Sequence, residues 1–170
     1  RYQNGRLTSI FERDYTEIAI ADLDSNGTTD LCLLTPQAQS TLLFLACSTD
    51  SGFETVDSLT LPHGIVSFDS ILAGRTANGQ TALFLDSTVD LYDTSFQITD
   101  VVSARQREDG SPALVNLLDN ENLSLSKLTL RPMQNLFCRD IDNDSIIEIP
   151  TASTLPGYED MLDEDALYLT

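Results

Sequence analysis

The stretch that most constrains this chain is Ala21–Leu33, with the sequence ADLDSNGTTDLCL. Four oxygen-bearing side chains occupy positions 1, 3, 5 and 9 of a short turn: Asp22, Asp24, Asn26 and Asp30. Gly27 stands at position 6, where a sharp bend needs conformational freedom, and Thr28 at position 7 offers its backbone carbonyl. Because Ca²⁺ takes six to eight oxygens at about 2.3–2.6 Å, this spacing predicts a calcium-binding loop rather than a solvated acidic turn.

The same spacing recurs near the other end of the chain, in CRDIDNDSIIEIP. Positions 1, 3, 5 and 9 are held there by Asp140, Asp142, Asp144 and Glu148. Ile146 stands where its backbone carbonyl would complete the ligand set. Ser145 replaces the glycine, and a positive φ is uncommon for serine. We therefore expect a second calcium site whose turn is strained or built differently.

Two further stretches keep part of the loop pattern, and the first of them lacks the acids. Asn78 and Gly79 match the first loop's Asn-Gly pair, within a copy that spans residues 74–82. A weaker copy, ARQREDGSPALV, has Gly110 at the glycine position and arginines where the first loop has acids. The copy at residues 74–82 is predicted to retain the turn without the metal.

Strand signals dominate the rest of the sequence. A first set of four predicted strands covers residues 15–21, 29–35, 41–47 and 53–62, and a second covers 65–73, 81–86, 88–93 and 96–104. Later strands are predicted at 113–118, at 123–131 with a bulge at Lys127, and on both sides of the last acidic loop. The position-6 residues Gly27, Gly79 and Ser145 are 52 and 66 residues apart, which is typical of a four-stranded repeat.

A strand, a DxDxDG-type loop and a second strand resemble the FG-GAP and VCBS-type repeats of integrin-alpha-like β-propellers. An EF-hand is excluded because its position 12 needs a bidentate Glu, and Leu33 stands there. The resemblance implies one all-β domain over residues 1–170, with about three four-stranded antiparallel blades and an acidic tail at 151–170. Three blades cannot close a ring, so an open arc or part of a larger propeller is expected. A β-sandwich is the alternative arrangement.

Composition narrows the choice of partner. Acidic residues number 27 against 9 basic ones, and the formal net charge of -18 disfavours binding to nucleic acid or anionic membranes. The apolar run Leu42–Cys47 is too short to cross a bilayer, and no signal peptide is visible. The resemblance implies an extracellular or cell-surface protein with an unknown protein or carbohydrate ligand.

Motifs for catalysis are missing from the sequence. There is no GxSxG, HExxH or phosphate-binding glycine loop, and the single histidine, His63, follows a proline. Cys32, Cys47 and Cys138 lie in apolar runs, without a CxxC pair, and are expected to be buried rather than to bind metal. We therefore expect a non-catalytic binding module.

Two other functions stay open at this point. The chain could be an accessory fragment of a secreted enzyme that acts on polysaccharide or lipid, with its catalytic residues elsewhere. It could also be a purely structural β-domain that binds no metal.

Overall fold

A computed structural model describes residues 2–3, 6–7, 14–50, 52–61, 64–91, 94–118, 131–132 and 137–150. All regular structure in these ranges is β, and it includes two antiparallel four-stranded sheets. A separate short hairpin pairs β1 (Tyr2–Gln3) with β2 (Arg6–Leu7). No helix that could span a membrane occurs in the described ranges. The predicted all-β class is confirmed for this part of the chain.

The first sheet follows the chain order without a crossover. It consists of β3 (Glu17–Ala21), β4 (Asp30–Pro36), β5 (Thr41–Thr49) and β6 (Gly52–Leu61). Proline ends β4 at Pro36, and the Gln37 amide then donates to the Ser40 carbonyl at 2.8 Å to turn the chain back. The first predicted set of four strands is confirmed.

The second sheet contains β7 (Ser67–Arg75), β8 (Thr81–Leu91), β9 (Thr94–Gln106) and β10 (Pro112–Asn116). These four strands also pair in chain order, and β11 (Arg131–Pro132) pairs with β9. Two sequence-based strand assignments are wrong here. Residues 81–86 and 88–93 are not separate strands, since β8 runs on through them to Leu91. The segment predicted at 113–118 supplies the fourth strand of this sheet instead of beginning a third set.

The polar residues in the middle of β8 explain the first of these errors. The carboxylate of Asp86 is buried and accepts the Thr99 hydroxyl at 2.6 Å and the Cys138 amide at 2.7 Å. Thr88 is also buried and donates to the carboxylate of Asp69 at 2.9 Å. Because these groups have partners inside the protein, the strand does not need to leave the sheet.

The two sheets pack against each other through one hydrophobic cluster. The first sheet contributes side chains such as Leu34, Leu43 and Leu45, and the second contributes Leu83 and Leu85, all fully buried. Strand β3 lies near β7 and β8, and β6 lies near β10. The first strands of both sheets therefore lie together, as do the fourth strands.

The other face of the second sheet is covered by residues 137–150. Cys138 and Ile147 pack there against Ala82, Phe84 and Val101. The Ile147 amide donates to the Arg75 carbonyl at 2.9 Å, which attaches this segment to the edge strand β7. The approach is close, because a Cβ built on Gly74 would stand 2.3 Å from Cγ1 of Ile147.

The predicted third blade is not resolved as a sheet in the described residues. Around the last acidic loop these residues form only isolated bridges, from Arg139 to Glu148 and from Arg75 to Ile146. The strand predicted at 123–131 and the acidic tail at 151–170 lie outside the described residues, except for Arg131 in β11. Two face-to-face sheets are compatible with neighbouring blades and with a sandwich.

Candidate metal-binding loops

Two acidic loops are closed by equivalent backbone pairs. The first acidic loop, residues 22–30, joins β3 to β4, and Ala21 pairs with Asp30 at its base. The second acidic loop, residues 140–148, is closed by the bridge between Arg139 and Glu148. In each loop the residue before position 1 lies opposite position 9, so both loops enclose the same length of chain.

Carboxylates in the first acidic loop point inward and accept the loop's own amides. Both oxygens of Asp22 are used, Oδ1 by the Asn26 amide and Oδ2 by the Gly27 amide, each at 3.0 Å. Oδ1 of Asp24 accepts the same Asn26 amide at 3.1 Å. These bonds fix the positions of both carboxylates within the loop.

The remaining predicted ligands of this loop are fixed in a similar way. Oδ1 of Asn26 accepts the Thr28 amide at 2.7 Å, forming an Asx turn. Oδ2 of Asp30 accepts the Leu23 amide at 3.0 Å and so ties position 9 back to position 2. All five residues predicted from the sequence therefore belong to one hydrogen-bonded loop.

The second acidic loop repeats this pattern position by position. Asp140 accepts the amides of Asp144 and Ser145 at 3.1 and 2.9 Å, and Asp142 accepts the Asp144 amide at 3.2 Å. Asp144 accepts the Ile146 amide at 2.8 Å, and Glu148 accepts the Ile141 amide at 2.7 Å. Glu148 at position 9 therefore accepts the amide of position 2, as Asp30 does in the first loop.

The two acidic loops also have similar backbone φ angles. Position 4 has a positive φ in both loops, 61° at Ser25 and 67° at Asn143. Position 6 has φ of 85° at Gly27 and 73° at Ser145. The expectation of a strained turn is met at Ser145, because serine adopts the left-handed conformation that glycine reaches without strain.

The loops differ in which potential ligand atoms they bring together. In the second loop, ligand atoms of Asp140, Asp142 and Asp144 lie within 4.8 Å of one another. In the first loop, the corresponding group of three is Asp24, Asp30 and Cys47. Asp22 and Glu148 lie outside these groups and hold loop amides, while Thr28 and Ile146 take part through their backbone amides.

Cys47 was missed as a site residue, although the hairpin register could have identified it. Pairing between β4 and β5 runs from Pro36 opposite Thr41 to Leu31 opposite Ala46. One more step places Cys47 opposite Asp30. Its Sγ lies 4.0 Å from Oδ2 of Asp24. A turn centred on residues 37–40 fixes this register, so the sequence did contain the signal.

Burial makes the electrostatics of the first loop unfavourable without a cation. Asp30 is 0% exposed, and its Oδ1 is buried without a hydrogen-bond partner. Burial raises the pKa of the Asp30 carboxyl, a hydrogen bond from the Cys47 thiol opposes this, and the charge of Asp24 adds to the rise. Burial also raises the pKa of the Cys47 thiol to about 12, with added contributions from the Asp30 and Asp24 carboxylates. A divalent cation fits here because it would neutralise the acids and contact the buried oxygen.

Two other hairpin loops share the Asx turn but have no ligand set. Asn78 accepts the Gln80 amide at 3.2 Å, and Asp109 accepts the Ser111 amide at 2.9 Å. Gly79 and Gly110 both have φ of 81°, like the glycine of the first loop. Ser111 lowers the pKa of the Asp109 carboxyl through its hydroxyl and amide hydrogen bonds. This backbone geometry therefore forms without an acidic cluster.

No family model matches this sequence, and no curated protein or solved structure matches it either.

Proposed function

We propose that this chain is a non-catalytic, calcium-stabilised extracellular binding or adhesion module built from FG-GAP- or VCBS-type repeats. Calcium would be held at both acidic loops and would serve as a structural ion. In the first loop its ligands would come from Asp22, Asp24, Asn26, Thr28 and Asp30. In the second loop they would come from Asp140, Asp142, Asp144, Ile146 and Glu148.

One observation carries the proposal: the two acidic loops have the same hydrogen bonds at positions 1, 3, 5 and 9. Twenty-seven acidic residues could cluster by chance, but a random cluster would not reproduce amide contacts position by position. The buried Oδ1 of Asp30 adds an oxygen that has no other partner. Oxygen ligands of this kind are those that Ca²⁺ prefers.

The arrangement of the sheets is compatible with repeats of the propeller type. Neighbouring blades pack face to face, and here the first strands lie together and the fourth strands lie together. The first acidic loop joins the first two strands of its sheet, as the resemblance requires. A protein or carbohydrate ligand would bind to the surface that these repeats form.

The test measures calcium binding with a matched pair of variants. Asp144→Ala and Asp109→Ala each remove a carboxylate that accepts the amide two residues later, so their structural costs are similar. Of the two, only Asp144 belongs to a group of acids whose ligand atoms lie within 4.8 Å of one another. Isothermal titration of the full chain should give two calcium ions for the wild type and for Asp109→Ala, and one for Asp144→Ala.

Thermal melting supplies an independent measurement. Extracellular calcium sites have Kd on the order of 10⁻⁴ to 10⁻³ M. At about 100 times Kd, one site stabilises the fold by roughly 2.7 kcal/mol, which is about 5–10 °C for a domain of this size. Equal calcium-induced shifts in wild type, Asp144→Ala and Asp22→Ala would show that the loops are only solvated turns.

A further inference from the structure

We propose that the first acidic loop also binds a borderline-soft divalent cation such as Zn²⁺, with the thiolate of Cys47 joining Asp24 and Asp30 as ligands. This inference rests on the proposed role of residues 22–30 as a cation site, but it assigns a different metal class and a ligand from another strand. The second acidic loop has no cysteine in its group and would remain an all-oxygen site.

Strand pairing brings the thiol to the carboxylates. Cys47 follows Ala46, whose partner is Leu31, so Cys47 is next to the Ala21–Asp30 pair that closes the loop. Ligand atoms of Asp24, Asp30 and Cys47 lie within 4.8 Å of one another. Zinc bonds of about 2.0–2.3 Å place neighbouring ligand atoms roughly 3.5 Å apart, so side-chain movements on the order of 1 Å would close the site.

The buried oxygen of Asp30 is an independent indication of a ligand. Its side chain is 0% exposed, and Oδ2 is already used by the Leu23 amide. Oδ1 has no hydrogen-bond partner, and the carboxylate to which it belongs lies against the Cys47 thiol, whose hydrogen bond to it opposes the effect of burial on the pKa of Asp30. A buried carboxylate oxygen without a donor is costly, and a cation held between it and Cys47 would remove that cost.

Ligand chemistry separates the two metal classes. Calcium binds hard oxygen ligands, whereas cysteine thiolates favour zinc and softer ions. Metal binding replaces the S–H bond of Cys47 with a metal–sulfur bond, and the displaced proton passes to the buffer. No electron is transferred in this step. Loss of one proton for each zinc ion bound is therefore part of the expected behaviour.

The experiment titrates the full chain with CdCl₂ and ZnCl₂. Cd²⁺ bound to a thiolate gives an ultraviolet charge-transfer band that oxygen ligands do not produce. Wild-type protein and Asp109→Ala should show this band at one thiolate per chain, and Cys47→Ser should lose it. Zinc affinity should fall at least about tenfold in Cys47→Ser, and calorimetry in several buffers should give one proton released by the wild type.

A second variant, Asp24→Asn, keeps the inference testable if Cys47→Ser misfolds. Asp24→Asn keeps an oxygen that can accept the Asn26 amide but removes the charge beside the thiol, so it should also weaken zinc binding. Unchanged zinc affinity in both variants, or no thiolate band in the wild type, would overturn the inference. Calcium binding at the first loop without a thiolate band leaves the proposed function standing. A thiolate band without calcium binding at either loop supports this inference and refutes the calcium proposal.

Discussion

Asp57 on β6 connects the two sheets, and its removal should measurably weaken their packing. One carboxylate oxygen accepts the Leu114 amide of β10 at 2.7 Å, and the other pairs with the guanidinium of Arg107. Leu114 is buried, so Asp57→Ala would leave its amide without this acceptor. Losing a buried acceptor costs roughly 1–3 kcal/mol.

The ion pair itself should contribute less than the amide contact. The side chain of Arg107 is 42% exposed, and solvent screening keeps such pairs below about 1 kcal/mol. We therefore expect Asp57→Ala to lower the free energy of unfolding by roughly 2–3 kcal/mol, or about 4–12 °C in Tm for a domain of this size. Asp57→Asn keeps an acceptor for the Leu114 amide and should cost under about 1 kcal/mol.

Urea unfolding followed by far-ultraviolet circular dichroism would measure both variants. Sodium chloride should reduce the difference between wild type and Asp57→Asn, because only the ion pair is screened. The difference between Asp57→Asn and Asp57→Ala should be insensitive to salt. Equal destabilisation by the two variants would contradict the reasoning, because the carboxylate charge rather than the amide contact would then hold the sheets.

Other predictions concern the acidic loops and the segment behind the second sheet. Gly74→Ala should destabilise the protein by more than an alanine substitution at an exposed position does, because the added Cβ would collide with Ile147. Thermal melting of Gly74→Ala beside one such exposed-position variant checks this. Ser145→Gly should raise calcium-free stability by up to about 1 kcal/mol, since glycine adopts φ of 73° without strain; a destabilised variant in urea unfolding would argue against strain. The raised pKa of Asp30 means that the folded state holds its proton more tightly than the unfolded state. Without metal, stability should therefore fall as pH rises from about 4 through the raised pKa, and in Asp30→Asn pH-dependent melting should show a smaller fall. Burial raises the pKa of Cys32 to about 12, so this thiol should resist alkylation in the folded chain and react after unfolding.

The first sheet could be predicted from sequence because its local signals agree with its tertiary surroundings. Strands near Ile18 and Leu33 are bounded by the acidic loop and by Pro36, and their residue types favour β structure. The spacing of acids in residues 22–30 likewise indicated a turn, and these residues do form a closed, hydrogen-bonded loop. In each case the residues of one short segment were enough to predict its local structure.

Long-range contacts account for what the sequence did not reveal. The sequence predicts two strands in place of β8, whereas the distant partners Thr99 and Cys138 help to keep Asp86 inside one buried strand. Likewise, a pattern read along one segment finds Asp24 and Asp30 but not Cys47, which comes from the next strand. Register arithmetic across the hairpin would have been needed to add it.

The strictly sequential strand order has a consequence for how the protein forms. Every strand of the first sheet pairs with its neighbour in the chain, so the sheet is complete once Leu61 has left the ribosome. Local pairings of this kind close short loops and form quickly. The apolar face of this sheet would then stay exposed until β8, which begins about twenty residues later, is made and covers it. During synthesis the first sheet is prone to aggregation in this interval, which ends when the second sheet folds onto the first.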